Sequence, residues 1–190
     1  MIEYEKKAML SSAEYHCLTR CFFAPQSKMV VQVNHYYDTH TYEFNDMNIT
    51  CRIREKDGTY KATIKNHSRN AEDCSVENSR EVNDQFDTTL FKDMNVTYQG
   101  NLTTIRKVLH LTSELRIMFD INFYLDFIDY ELEVEYDGDN EQLAKIEICE
   151  LSEILLKQNL ISSQSDFCKR FKNSKSKSKR FFERKRALYK

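Results

Sequence analysis

The chain has 190 residues, of which 41% are hydrophobic and 31% are charged, and its formal net charge is −2. This length and composition predict one globular domain with a sizeable core and exclude an intrinsically disordered chain. No apolar run approaches the roughly 18–20 residues that cross a bilayer, and the acidic N-terminal segment has no signal-peptide core. We therefore expect a cytoplasmic protein without membrane partners.

The charge is unevenly distributed along the chain. The segment from Lys169 onward holds 11 of the 28 basic residues but only one of the 30 acidic residues. A basic tail on an acidic body has two interpretations. The tail binds nucleic acid or another polyanion in trans, or it folds back and supplies cations to a site in the body.

Alternating polarity and clusters of β-branched or aromatic residues predict eight strands. They cover residues 2–9, 29–39, two segments of 49–66 joined at Asp57-Gly58, a segment starting near 79–83, and residues 103–111, 115–121 and 129–137. Asp-Gly is a hairpin signal, whereas the polar residues 66–78 predict a loop. Many antiparallel strands with peripheral helices favour an α+β domain built on a large sheet or barrel.

Helices are predicted at four places in the chain. Ser11 and Glu14 have the spacing of a capping box, which opens a short helix after the first strand. A second short helix is predicted at 87–94, and the tail predicts a helix from about 174 to 188. A long amphipathic helix is predicted at 140–160, with core residues at Leu143, Ile146, Leu151, Ile154 and Leu155.

Charged residues recur at alternate positions of the predicted strands, where alternate side chains share one face. Carboxylates lie at Glu3 and Glu5 and again at Glu131, Glu133 and Glu135, while basic residues lie at Lys7, Arg52, Arg54, Lys61 and Lys65. Each group alone is typical of a solvated face. Together, with apolar residues opposite, they predict a barrel whose charged faces point inward and whose lumen holds a charged guest.

The two kinds of charge suggest what that guest is. Arginine and lysine clusters bind phosphate oxygens, and clustered carboxylates bind hard divalent cations such as Mg²⁺ or Mn²⁺. A metal–polyphosphate complex would use both.

Other kinds of site are not indicated. The six cysteines include no CxxC pair and are expected to be free thiols. Cys17 and Cys21 would share a helix face, but no second ligand pair follows to complete a zinc site. His35, His40 and His110 share no constellation with a serine or cysteine, and the three glycines form no phosphate-binding loop.

Several segments, in order, resemble the motifs of the CYTH proteins, also called triphosphate tunnel metalloenzymes. They are "EYEKK", which matches the ExExK signature, followed by "YYDT", "CRIRE", "TIK", "IMFDINFYL" and "DYELEVEYD". The likeness covers nearly the whole chain and is greatest to the YjbK-like bacterial branch. The chain departs from the pattern at His40, and again at Asn66 and His67, near where the family has prolines.

The resemblance implies an eight-stranded antiparallel β-barrel tunnel with peripheral helices, in one domain over residues 1–190, whose residues 174–190 form a basic closing helix. It implies that Mg²⁺ or Mn²⁺ is held by Glu3, Glu5, Glu131, Glu133 and Asp120. It implies that phosphate is bound by Lys7, Arg52, Arg54, Lys61, Lys65, Arg106 and Lys177. The expected catalytic residues are Glu5, Arg54 and Lys65. Glu81 matches a less defined acidic position, and Glu135 is expected at the barrel rim.

The function implied is metal-dependent hydrolysis of a triphosphate, with inorganic triphosphate ahead of nucleoside or organic triphosphates. Two alternatives stay open: an adenylyl cyclase of class IV type, and a polyphosphate- or nucleotide-binding module without turnover. The expected partner is a small molecule that contains a triphosphate. Nucleic acid is not expected to bind, and a homodimer is left open.

Overall fold

A computed structural model describes residues 2–67, 74–172 and 174–189, with eight strands. The strands are β1 (Ile2–Leu10), β2 (Val30–Asp38), β3 (Ile49–Lys56), β4 (Thr59–His67), β5 (Cys74–Val82), β6 (Thr97–His110), β7 (Leu115–Tyr124) and β8 (Phe127–Tyr136). They form a closed antiparallel barrel in the order β1-β5-β4-β3-β2-β6-β7-β8. The predicted eight-stranded α+β barrel is confirmed.

Within the described residues, five α-helices surround the barrel: α1 (Ser12–Phe22), α2 (Glu43–Asp46), α3 (Glu141–Lys157), α4 (Gln164–Arg170) and α5 (Lys177–Leu188). The predicted capping box opens α1, because the Ser11 hydroxyl accepts from the Glu14 amide while the Glu14 carboxylate accepts from the Ser11 amide. The segment predicted at 87–94 contains only a 3-10 turn, Thr88–Phe91. No helix within the described residues is long and apolar enough to cross a bilayer.

Two connections between strands were predicted from the sequence, one as a tight turn and one as a loop. Asp57 and Gly58 both have positive φ, as a tight hairpin turn between β3 and β4 requires. The loop predicted at 66–78 is wrong in part, because β4 continues to His67 and β5 begins at Cys74. The alternation at the start of β5 is short, because only Cys74 and Val76 are apolar there and residues 77–81 are all polar. Residues 68–73 of the predicted loop lie outside the described residues.

The main hydrophobic core lies outside the barrel. Outward residues of β1, β7 and β8 pack with α1, α3 and α4, so the barrel interior is free for polar side chains. On α3 the buried positions are Ala144, Ile148, Leu151 and Leu155, which follow one helical face. The predicted core residue Ile146 is 46% exposed, because it falls on the opposite face of that helix.

The helix α5 packs against the barrel. Phe181 and Phe182 are buried in a cluster with Tyr36, Leu102 and Tyr124 of the barrel. This packing brings the N-terminal turn of α5 over the barrel interior. The basic tail therefore folds back onto the body, which is the second of the two interpretations that the charge distribution allowed.

Candidate active site in the barrel

The barrel encloses a cavity of about 420 Å³ lined by side chains of both charges. Its lining includes Glu5, Lys7, Arg52, Arg54, Lys61, Lys65, Arg106, Glu133 and Lys177, all predicted from the sequence. Strand alternation explains the arrangement, because the residues between them, such as Ile53 and Val134, are buried in the outer hydrophobic clusters. The inward charged faces are therefore a property of the barrel as a whole.

One wall of this cavity is basic. Arg52 and Arg54 of β3 and Lys65 of β4 all line it, and Arg52 and Lys65 each approach the Glu77 carboxylate at 3.4 Å. Lys61 lines the same cavity but is exposed. Sequence reasoning missed Glu77, because its strand was interpreted as a loop.

Arg54 differs from Arg52 and Lys65 because no carboxylate among the described side chains balances its charge. Its Nε donates to Oδ1 of Asn34 at 2.9 Å, and none of the described side chains places a carboxylate within 4 Å of it. Burial lowers the pKa of Arg54 to about 9, with help from Arg52 and Arg106. The guanidinium is still charged at neutral pH, and an anion bound beside it would relieve the repulsion.

The opposite wall holds three buried carboxylates. Asp120 of β7 and Glu131 and Glu133 of β8 each offer one oxygen, and these three oxygens lie within 4.8 Å of one another. Asp120 and Glu131 have no exposed surface. Clustered carboxylate oxygens are the donors that Mg²⁺ and Mn²⁺ prefer, so this group (the acidic cluster) fits the predicted metal.

Cations from elsewhere balance the acidic cluster. The Lys177 ammonium lies 2.9 Å from Asp120 and 2.6 Å from Glu133, and it also contacts Glu131. Arg106 donates to both Asp120 oxygens at 2.7 and 2.6 Å and to Glu133. Burial alone would raise the pKa of Glu133, but Lys177 and Arg106 outweigh it and hold that pKa well below its usual value.

A second basic residue of α5, three positions after Lys177, contacts the same wall. Arg180 contacts Asp129 at 2.9 Å and Glu131 at 3.0 Å. Arg180 and Asp129 were missed by sequence reasoning. Arg180 follows Lys177 by three residues, so helical spacing could have indicated that both face the barrel.

Glu5 lies apart from the acidic cluster. Its Oε1 accepts from Lys7 at 2.6 Å and from Lys65 at 3.2 Å. Burial would raise the pKa of Glu5, but the two lysines reverse the effect and lower it. Glu5 is therefore a carboxylate embedded in the basic side of the cavity. The side chain of Glu3, the other predicted N-terminal ligand, lies outside the described residues.

The remaining acidic residues from the sequence lie away from the centre. Glu135 lines the cavity and pairs with Arg116, whose side chain is 47% exposed, as expected for the barrel rim. Glu81 is exposed and pairs in register with Lys61. Asp38 accepts from the amides of Thr39, Phe44 and Asn45, so it stabilises a turn. All six cysteines are free thiols, as predicted.

Comparison with known proteins agrees with this geometry. The CYTH domain family matches residues 1–162. A Bacillus subtilis (strain 168) protein named "Putative triphosphatase YjbK" is 28% identical over an alignment of 147 residues, and the match covers 70% of this chain and 77% of that protein.

Solved structures share the fold. A protein from Bacillus halodurans described as a "putative adenylate cyclase" has a TM-score of 0.70 at 22% identity and covers 95% of this chain and 97% of its own. The Hippeastrum protein HpAC1 is described as a "putative adenylyl cyclase" with a dominant triphosphatase activity. Its TM-score is 0.68 at 16% identity, and the match covers 96% of this chain and 95% of HpAC1. Because the CYTH domain family matches residues 1–162, which are most of the sequence, the chain belongs to the CYTH family.

Proposed function

We propose that the protein is a metal-dependent hydrolase of triphosphates, with inorganic triphosphate as the first candidate substrate. The observation that carries this proposal is the opposition of two walls inside one barrel. The basic wall of Arg52, Arg54 and Lys65 lines a cavity of about 420 Å³ together with Glu133, and Asp120 and Glu131 of the acidic cluster are buried behind Glu133. Membership of a family that includes a protein named as a triphosphatase supports it.

The basic wall would bind and orient the phosphates. Arg54 and Arg52 can each bind phosphate oxygens bidentately, while Lys65 and Lys7 act as point charges. In hydrolysis, a water oxygen forms a bond to the terminal phosphorus and the bridging P–O bond breaks, which releases phosphate, pyrophosphate and one proton. Charge accumulates on the transferred and leaving oxygens, and Arg54 and Lys65 are placed to stabilise it.

Glu5 would orient other groups of the site, namely two lysines and the attacking water. Its lowered pKa keeps it ionised at neutral pH, so it accepts hydrogen bonds but holds a proton poorly. We assign it to positioning Lys7 and Lys65 and to orienting the attacking water.

The acidic cluster of Asp120, Glu131 and Glu133 would hold Mg²⁺ or Mn²⁺, with Glu3 and Glu5 as the further predicted ligands. Such an ion neutralises phosphate charge and acts as a Lewis acid. In the structure the ammonium of Lys177 contacts all three carboxylates. Its predicted contact with phosphate therefore requires the side chain to leave the acidic cluster.

Product analysis distinguishes this function from its alternatives. Purified protein is incubated with Mg²⁺ or Mn²⁺ and, separately, tripolyphosphate, ATP or thiamine triphosphate, with matched reactions containing a chelator. Phosphate release that the chelator abolishes supports hydrolysis. Cyclic AMP with pyrophosphate from ATP would instead identify a cyclase, and binding without product would identify a binding module.

The single domain over residues 1–190, the cytoplasmic location and the open question of a homodimer stay predictions. The contacts of α5 with the barrel give the basic tail a role within the chain, and the proposal requires no nucleic acid.

A further inference from the structure

A second cavity of about 430 Å³ adjoins the candidate active site. It shares Arg54, Arg106 and Arg116 with the barrel cavity, so the two spaces meet at these side chains. We call it the distal mouth and define it by Lys28, Gln32, Arg54, Lys56, Arg106 and Arg116. The motifs used to predict the active site include neither Lys28, Gln32 nor Lys56.

The distal mouth is strongly basic. Five of its lining residues are lysine or arginine, and the described part of the lining contains no aspartate or glutamate. Arg106 and Arg116 are paired with carboxylates of the barrel. Lys28, Lys56 and Arg54 have no carboxylate within 4 Å among the described side chains. The mouth therefore carries a surplus of positive charge directly beyond the basic wall of the active site.

A buried hydrogen-bond donor points to a ligand at the same place. Gln32 is only 3% exposed, and its Nε2 has no partner within the described residues. It lies opposite Lys56 in the register of β2 and β3, beside Arg54 and its partner Asn34. A buried amide without a partner is unfavourable, so an acceptor supplied by a ligand would satisfy it.

We propose that the distal mouth binds additional phosphate groups of a linear polyphosphate longer than triphosphate. The inference rests on the proposed function, because it extends the phosphate path that Arg54 begins in the active site. Lys28 and Lys56 bind the extra phosphates, and Gln32 donates to one of their oxygens. The lining favours phosphate over a nucleoside, because five of its described residues are lysine or arginine, whereas His110 is the one aromatic ring among them on which a base could stack.

The test compares substrates of different length on a variant that removes both exposed lysines. Lys28→Ala/Lys56→Ala alters side chains at the surface, and the matched control Lys145→Ala/Lys157→Ala removes two exposed lysines of α3. The kcat/KM of each protein is measured with tripolyphosphate and with linear polyphosphate of narrow length distribution. In Lys28→Ala/Lys56→Ala, the ratio of kcat/KM for long polyphosphate to kcat/KM for tripolyphosphate should fall about tenfold or more, since two charge-assisted contacts are lost. The control should keep the wild-type ratio.

Direct binding separates this inference from the proposed function. The affinities of tripolyphosphate and long polyphosphate are measured by calorimetry without added metal. The wild type should bind the longer chain more tightly, and Lys28→Ala/Lys56→Ala should lose that preference, even if no substrate is hydrolysed. Gln32→Glu should lose it too, because a carboxylate repels phosphate.

Equal effects on both substrates would overturn the inference while leaving the hydrolase proposal intact. A loss confined to ATP, measured as a third substrate of the same variant, would also overturn it and would assign the distal mouth to the organic part of a nucleotide. Absence of tripolyphosphate hydrolysis in the wild type, with the preference for long polyphosphate retained, would contradict the proposed function alone.

Discussion

The Lys177 ammonium lies 2.6 Å from Oε1 of Glu133, inside the acidic cluster that fits a divalent cation. Burial alone would lower the pKa of Lys177, but Asp120 and Glu131 together with Glu133 raise it. The ammonium is therefore held as a charged group in contact with three carboxylates, which it balances together with Arg106 and Arg180. A metal ion bound by the same oxygens would have to compete with it.

Replacing Lys177 should make the acidic cluster unstable and metal-responsive. In Lys177→Met the carboxylates lose their ammonium, so we expect the free energy of unfolding to fall by about 3–5 kcal/mol at neutral pH without metal. Added Mg²⁺ or Mn²⁺ should raise the Tm of this variant more than that of the wild type. Thermal unfolding with and without metal measures both effects.

Lys179→Met is the matched control for this experiment, since Lys179 lies on the same helix and has no contact with the acidic cluster among the described residues. An equal metal-induced shift in Tm for the wild type and both variants would show that the ammonium and the metal do not compete.

Removing Arg54 should affect catalysis more than folding. We expect Arg54→Ala to lower kcat/KM for tripolyphosphate about 10²–10³-fold, as for other single groups that stabilise transition-state charge. Arg54→Lys should recover only part of the loss, because an ammonium cannot bind phosphate bidentately. Arg80→Ala is the control, since Arg80 is exposed and pairs in register with the outward Ala62. Similar rates for Arg54→Ala and Arg80→Ala would remove Arg54 from the proposed site.

Gly100 should be required for the docking of α5. Its φ is +132°, and a Cβ there would lie 2.9 Å from the Phe181 ring. Gly100→Ala should therefore be destabilised both by backbone strain, of about 1–3 kcal/mol, and by displacement of Phe181. Gly58→Ala is the control for strain alone, because its φ is +75° and no atom lies within 4 Å of the added Cβ.

Limited trypsin digestion measures how firmly α5 is docked, since α5 is rich in the lysine and arginine residues at which trypsin cleaves. Faster cleavage within α5 is expected in Gly100→Ala but not in Gly58→Ala. Identical cleavage rates in the two variants would mean that contact with Gly100 does not hold the helix in place.

His67 should make stability depend on pH. Burial lowers the pKa of His67 to about 4, with help from Lys65 and Lys7. An unfolded histidine titrates near 6.5, so the unfolded chain binds more protons between these values. The free energy of unfolding should therefore fall as pH is lowered from about 6.5 to about 4, by about 1–3 kcal/mol from this group.

Denaturant unfolding at several pH values measures this slope. His67→Asn should show a smaller loss of stability across the same interval, because the titrating imidazole is absent. A slope identical to that of the wild type would show that His67 titrates normally in the folded protein.

Much of the barrel could be predicted from the alternation of charge. At Arg52, Arg54, Glu131 and Glu133, charged residues alternate with apolar ones, and period-two patterns specify which side chains share a face. This is why most of the residues predicted for the site line one cavity. Glu77 was missed because the alternation in β5 stops after Val76, and the polar residues 77–81 look like a loop.

The ion pairs between α5 and the carboxylates of the barrel could not be predicted from alternation. The contact of Lys177 with Glu133 joins residues 44 positions apart, and it depends on how Phe181 and Phe182 dock α5. Sequence spacing within one element carries no information about such a contact. The short helices α2 and α4 were missed because four and seven residues are too few to show a helical period.

The most direct test of the central claim is phosphate release from tripolyphosphate with Mg²⁺ by the wild type and Glu133→Gln, with Glu153→Gln as a surface control. We predict release by the wild type and the control, and a loss of about 10²-fold or more in Glu133→Gln, whose amide cannot supply the charge of a carboxylate. Full activity of Glu133→Gln, or no release by the wild type with either Mg²⁺ or Mn²⁺, would contradict the claim that the opposed walls form a triphosphatase site.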